Sequence, residues 1–386
     1  CKALLKRARE PIRYLSITGE KVYYRAEEPC PYYDQFIHFT EPGAIIMNSA
    51  KWEAETWIGR KPRVPVEIID EGDKYLDGLT YRTSITGRVF ARIGREGLVE
   101  PEELRSMMER LEGLLDGYGE NGYDGFLGVE EHVVKFLKDF VEMLSRAEPS
   151  DFILSIKSKV ELMLREREFS WARTFRAGEN EGLTVFIPTP NITLKELAKR
   201  SGKLLFMSAT VHTERSFRKI FKIMDPCIVT AEERFPGTLH IMDPETVKGE
   251  MSRVSFRRWG ERGFRESYWA LLDELIEVAA RPCLVQVHAY KYLPHKYQPS
   301  EEQRRLDFWH FEDDEVIFST KTDRGIDLHD DLCRSIIIMK YPLPNTEDIV
   351  LKTMRRLLGD TPFWKYMDDM ADRNLVQQCG RAVRNK

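Results

Sequence analysis

Short apolar runs with polar ends alternate along this chain with stretches whose apolar residues recur every three or four positions. Residues 43–48 (Gly-Ala-Ile-Ile-Met-Asn) and 64–70 (Val-Pro-Val-Glu-Ile-Ile-Asp) read as buried strands of a parallel sheet. Beyond Val99, Leu104, Met107, Met108, Leu111, Leu114 and Leu115 fall at helical spacing, and Pro101 suits a helix first turn. After a glycine-rich break from Gly117 to Gly128, helical patterns return at 133–144 and 152–167. The pattern therefore predicts a mostly helical insertion over 80–177.

Strand signals resume at 183–187 and 203–207. A linker-like stretch with Pro226, Pro236, Gly237 and Pro244 leads to a helix at 266–280 and strands at 283–287, 316–318 and 335–339. Alternation of this kind predicts an α/β fold of two parallel-sheet units, the first interrupted by the helical insert. The predicted division is 1–79 with 178–225, then 80–177, then 226–386.

Composition narrows the class. At 386 residues, two to three domains are expected, and 42% hydrophobic with 11% aromatic residues is enough to fill their interiors. No apolar run reaches the eighteen or so residues of a membrane span, and no secretory leader is visible. A net charge of -4 argues against a polycation but not against nucleic-acid binding, because basic residues can line one groove of an acidic molecule. Six scattered cysteines in a long chain do not form a secreted disulfide framework, which predicts a reducing, cytoplasmic setting. Four of them lie in or beside apolar segments, where buried thiols are expected. The chain opens on Cys1 and stops just after a motif-like run, and is expected to be a fragment.

Four local patterns carry chemistry. Ile68-Ile69-Asp70-Glu71-Gly72-Asp73 puts adjacent carboxylates at the C-terminal end of an apolar strand, the edge where open α/β sheets bind ligands. Aspartate there can hold a magnesium ion on nucleotide phosphates, and glutamate can activate the attacking water. A plain acidic turn is the alternative. A second strand runs into Ser208-Ala209-Thr210, and a third into Lys321-Thr322-Asp323-Arg324-Gly325-Ile326-Asp327. Finally, Gln377, Gly380, Arg381 and Arg384 follow a helical stretch. Arginines three apart on a helix point the same way and could stabilise charge in phosphoryl transfer. A metal-dependent nuclease built on Asp70, Glu71 and Asp73 would leave that last element without a role.

Arginines interleave with aromatics at 165–176, which includes Trp171, Arg173 and Arg176, and again at 256–265. Such runs can stack bases and track phosphates; an amphipathic helix with core aromatics is the alternative. Tyr290, Lys321 and Thr322, in loops after strands, are further candidates for backbone contact.

In this order the motifs resemble those of superfamily 2 helicases. Asp70 to Asp73 resembles the DEAH/DEAD box, Ser208 to Thr210 the Ser-Ala-Thr motif, Thr322 to Leu328 motif V, and Gln377 to Arg384 the Q-x-x-G-R-x-x-R of motif VI. Cys30-Pro31-Tyr32 ahead of the box, the insertion after it and Tyr341-Pro342-Leu343-Pro344 are similar to the XPD/DinG branch. The resemblance implies two RecA-like lobes with a helical arch, and ATP and magnesium as cofactors. Asp70 would hold the metal through water, Glu71 would be the base, and Gln377, Arg381 and Arg384 would contact the nucleotide. Asp73, Ser208, Thr210, Gly325, Asp327 and Gly380 would couple its state to single-stranded or forked DNA, moved along 5′ to 3′. It also implies a 4Fe–4S cluster, with Cys1 and Cys30 supplying two of four thiolates; a cluster-free relative is the alternative.

Two departures stand out. Gly72 and Asp73 replace the Ala-His usual in this branch, and no G-x-x-x-x-G-K-[ST] loop occurs in these residues. The loop is expected upstream of Cys1, and a catalytically dead, nucleic-acid-binding relative is the alternative.

Overall fold

The computed structural model describes residues 12–17, 19, 21–24, 35–40, 42–148, 150–177, 180–231, 254–300, 315–320, 328 and 332–380. Two compact units emerge: Cys1–Ser208 with Arg215–Met224 and Glu347–Phe363, and Ala209–Glu214 with Asp225–Thr346 and Trp364–Lys386.

The first unit opens with an antiparallel pair, β1 (Ile12–Leu15) and β2 (Lys21–Tyr24). Helix α1 (Ser49–Ile58) starts where the Asn48 side chain accepts the Lys51 amide at 2.7 Å. It stops at Gly59, whose φ of 76° only glycine adopts without strain. Strand β3 (Val66–Ile69) leads into the short α2 (Gly72–Asp77). Strand β4 (Tyr81–Thr86) is followed by α3 (Gly87–Arg95), α4 (Pro101–Tyr118), β5 (Asp124–Phe126), α5 (Glu131–Arg146) and α6 (Asp151–Arg165). Then come β6 (Trp171–Ala177), β7 (Asn180–Ile187), α7 (Pro190–Lys199) and β8 (Lys203–Phe206).

Strands β3 and β8 pair in parallel, Ile69 beside Phe206. A buried ion pair anchors β3 to the rest. Glu67 accepts the Trp52 indole N–H at 2.8 Å and pairs with Lys61, whose ammonium also lies over the Trp52 ring. Burial pulls the Lys61 pKa down while Glu67 opposes the shift.

Three expectations need correction. First, residues 44–48 form no strand: they run extended into α1, with Ile46 almost fully exposed while Ile45 and Met47 pack against Tyr14, Phe36 and Phe39. Second, β3 is buried on one face only. Glu67 and Ile69 point inward, whereas Val66 and Ile68 are more than half exposed, as a two-stranded sheet dictates when nothing among the described residues covers the other side.

Third, the segment read as a mostly helical insertion also contributes a sheet. Strands β4, β7, β6 and β5 hydrogen-bond in that order and antiparallel, so 183–187 pairs with β4 and β6 rather than extending a parallel sheet. One face of this sheet carries the helices. Phe90, Leu111, Leu137, Phe140, Val160 and Met163 are buried with Ile85, Leu183 and Val185. Burial of a large apolar side chain is worth about 1.5–3 kcal/mol, so this packing stabilises the segment more than helix propensity does.

In the second unit, α8 (Arg262–Val278) precedes β9 (Cys283–Gln286), β10 (Val316–Ser319) and β11 (Ser335–Ile338). Strand β9 lies central and parallel to both neighbours, as the apolar runs predict. Its two faces have separate cores: Cys283 and Val285 meet Phe264, Tyr268 and Leu272, while Leu284 meets Ile317, Leu328 and Cys333. Of the thiols expected to be buried, Cys283 and Cys333 are, Cys379 is half-buried, and Cys227 is exposed. Helix α9 (Ile349–Leu358), which belongs to the first unit, and α10 (Asp360–Cys379) complete the described chain. Val350 of α9 packs with Trp171 and Phe186 on the outer face of the antiparallel sheet. The whole is a mixed α/β fold with parallel sheets.

Candidate functional site

Strand β3 ends at Ile69, and the next two residues, Asp70 and Glu71, are exposed at its C-terminal edge. The Glu71 amide donates to Asp70 Oδ1 at 2.9 Å. Glu71 sits in the left-handed region at φ 51°, ψ 41°, a conformation that costs a non-glycine residue on the order of 1–2 kcal/mol. Such strain concentrates at functional positions. The two carboxylates border a cavity of about 350 Å³ lined also by Glu53, Lys74, Tyr75 and Thr193.

The residues fit a magnesium–nucleotide complex in one specific sense. Among the described residues no group of three or more His, Cys, Asp or Glu side chains could hold a metal by itself. Magnesium on a nucleotide takes most of its ligands from water and phosphate and asks the protein for one or two carboxylates. Asp70, exposed at the strand end, is one such carboxylate, with Glu71 beside it.

Behind the carboxylates the chain is locked to β8. The Gly72 amide donates to the Met207 carbonyl at 2.7 Å, and the Met207 amide to the Ile69 carbonyl at 2.9 Å. A Cβ on Gly72 would lie 2.6 Å from Phe206 Cβ and 3.0 Å from its Cα. Glycine at this position is thus demanded by the closeness of the two strands. Asp73 is buried, and the Ser208 hydroxyl donates to its Oδ1 at 2.6 Å. The Asp-Glu-Gly-Asp turn and the Ser-Ala-Thr turn are one hydrogen-bonded structure.

In the second unit, Gln377 is on the last turn of α10 and is largely buried, its amide donating to the Thr210 hydroxyl at 3.1 Å. One turn earlier, Arg373 and Asp369 form a buried ion pair at 3.6 Å, and Asp369 also accepts the Thr213 amide at 3.1 Å. Sequence reasoning missed this pair. An i,i+4 Asp–Arg spacing looks like an ordinary solvated helix pair, and only burial distinguishes it. Gly380 follows the helix as a turn. Arg381, Arg384, Gly325, Asp327, Lys321, Thr322, Cys1 and Cys30 lie outside the described residues.

The nucleic-acid candidates divide. Trp171 is buried and its indole N–H donates to Asp124 at 2.5 Å, so it offers no face for a base. Arg176 is paired with Asp116 at 2.5 Å and Glu181 at 3.5 Å. Arg173 is exposed. The run at 165–176 is a helix end followed by a strand, so its side chains alternate between faces. Within 256–265, Phe256 stacks on Tyr292 at 4.0 Å and on His288 at 5.3 Å, and Trp259 packs edge-on to Phe264 and Tyr268. Phe264 and Tyr268 are core, and Phe256, Trp259 and Tyr290 are partly buried against them.

Residues 272–386 match the helicase C-terminal domain family. Two solved structures are similar at 15% identity each. One, titled XPD helicase, aligns over 82% of this chain and 62% of its own, with a TM-score of 0.41. The other, titled XPD apo, aligns over 82% and 70%, with a TM-score of 0.43. The chain thus spans less than two thirds of the first structure's length. None of the curated proteins matches the chain. Among the described residues no helix is long and apolar enough to cross a membrane.

Proposed function

We propose that the chain is the greater part of an ATP-driven DNA motor with two RecA-like lobes and an arch-type insertion over 80–177. The lobes are 1–79 with 178–225, and 226–386. The observation that carries this reading is the acidic turn. Asp70 and Glu71 stand exposed at the C-terminal edge of a parallel strand, and the buried Asp73 ties that turn to Ser208.

In this reading Asp70 holds magnesium through water and Glu71 accepts a proton from the attacking water. Arg381 and Arg384 stabilise charge on the phosphates while Gln377 senses them. Asp73, Ser208, Thr210, Gly325, Asp327 and Gly380 transmit the nucleotide state. Single-stranded or forked DNA as track, and 5′-to-3′ movement, come from the family resemblance. Cys1 and Cys30 are proposed as two ligands of a 4Fe–4S cluster, an assignment that iron-free full-length protein prepared without oxygen would refute.

Glu71→Gln in the full-length protein tests the reading directly. Loss of a general base is expected to lower ATP turnover by about 10²- to 10⁴-fold while nucleotide binding persists. Unchanged turnover rejects the motor.

A further inference from the structure

The outer face of the antiparallel sheet holds a groove of about 410 Å³. The pairing register explains its lining. Ser84 faces Thr184, which faces Arg173, and residues two positions away on each strand share that face. Arg82 and Thr86 from β4, Phe175 from β6, Phe186 from β7, Arg88 from the start of α3 and Ile349 of α9 complete the walls.

Three arginines of the groove, Arg82, Arg88 and Arg173, are exposed, and no carboxylate is among its described lining residues. Several other arginines of the unit differ in this. Arg92, Arg110, Arg146 and Arg176 are each paired with an acidic side chain. The carboxylate opposite Arg173 in the register, Asp124, instead accepts the Trp171 indole and pairs with Arg356 at 3.4 Å.

The backbone adds to the positive field. Thr86, the N-cap of α3, makes no side-chain capping bond, so the positive end of a nine-residue helix borders the groove without a capping acceptor. On the floor, the Ser84 and Thr184 hydroxyls hydrogen-bond to each other at 2.9 Å, which leaves one O–H of the pair to donate. Phe175 is half-buried opposite Gly182, where a Cβ would collide with the Ile85 carbonyl oxygen, so no neighbouring side chain on β7 covers its ring.

We infer that this groove is an oxyanion site that grips the phosphodiester backbone of a single nucleic-acid strand, with a base resting against Phe175. Three exposed guanidiniums in one groove with no carboxylate among its described lining residues, a hydroxyl donor and a helix start without a side-chain cap suit a phosphate. The oxyanion chemistry comes from the groove itself; its assignment to a nucleic-acid strand rests on the motor reading.

The test is fluorescence anisotropy of a labelled oligothymidylate with the full-length protein and no nucleotide, over a range of salt. Arg82→Ala, Arg88→Ala and Arg173→Ala are each expected to weaken binding several-fold. Each should also reduce the slope of log K against log salt by about 0.7, the value for one phosphate contact on a single strand. Arg173→Gln, which keeps the stem, should behave like Arg173→Ala, and Arg105→Ala, exposed on α4, should bind like the parent. Groove variants with native circular dichroism, unchanged affinity and unchanged slope overturn the proposal. Binding of inorganic phosphate, seen by calorimetry and lost in Arg173→Ala, without oligothymidylate binding overturns the assignment to a strand. Failure of the motor reading shows separately, as retained turnover in Glu71→Gln.

Discussion

Ser208 donates its hydroxyl proton to Oδ1 of the buried Asp73 at 2.6 Å, which joins the turn after β3 to the turn after β8. The two strands are parallel neighbours, so their C-terminal ends lie side by side, and this short charge-assisted bond fastens one turn to the other. Asp70 and Glu71, on the same turn as Asp73, are thereby positioned by a residue 135 places beyond Asp73.

Ser208→Ala removes that donor from a buried carboxylate. Hydrogen bonds to charged groups contribute about 1.5–3 kcal/mol, and a loss of that size is expected in urea denaturation. In the proposed motor, ATP turnover should also lose its stimulation by DNA while basal turnover persists. A variant as stable as the parent, with normal stimulation, would remove Ser208 from the coupling path.

Gly72→Ala sets two effects against each other. Alanine improves helix propensity at the start of α2 by up to about 1 kcal/mol. Its Cβ, however, would sit 2.6 Å from Phe206 Cβ, against backbone rather than a flexible side-chain end, and overpacking of this kind costs about 1–3 kcal/mol. Net destabilisation is expected, read as a lower Tm, although alanine is the residue the resembling family uses. A higher Tm would mean that β8 withdraws freely.

The same positions show what the sequence could and could not tell. The acidic turn, the Ser-Ala-Thr turn and the parallel strands of the second unit were legible because each is a continuous apolar run with a chemically marked end. The antiparallel sheet was not. Strand β4 pairs with β7 roughly a hundred residues later, as Ser84 and Thr184 illustrate, and no local pattern announces a partner so distant. Trp171 looked like a stacking platform because arginines flank it in sequence. Its burial depends on Phe186 and Val350, far away in the chain. Ile45, Ile46 and Met47 read as a strand because apolarity alone cannot say whether a partner strand is present.

His288 gives the second unit a pH dependence. Burial, with help from Lys340 and Lys291, holds its pKa below the usual histidine value, and its ring stacks on Phe256. The unfolded chain therefore binds a proton more readily than the folded one between the lowered value and about 6.5. Stability is expected to rise as pH increases through that window and to be lowest below it, where the folded unit must carry the charge. His288→Gln should flatten this slope in chemical denaturation between about pH 5 and pH 7. An identical slope in the variant would assign the dependence elsewhere.

Glu71→Gly separates stability from function at one residue. The backbone at φ 51° strains glutamate but not glycine, and relief of that strain is worth about 1–2 kcal/mol. Glycine's greater freedom in the unfolded chain offsets roughly 0.5–1 kcal/mol of it. A small net gain in Tm is expected, together with loss of ATP turnover as severe as in Glu71→Gln, since both variants lack the proton acceptor. Backbone strain kept at a glutamate fits a position where the carboxylate is used. A variant that is less stable than the parent would show that Glu71 is held there by packing, and the strain would then say nothing about catalysis.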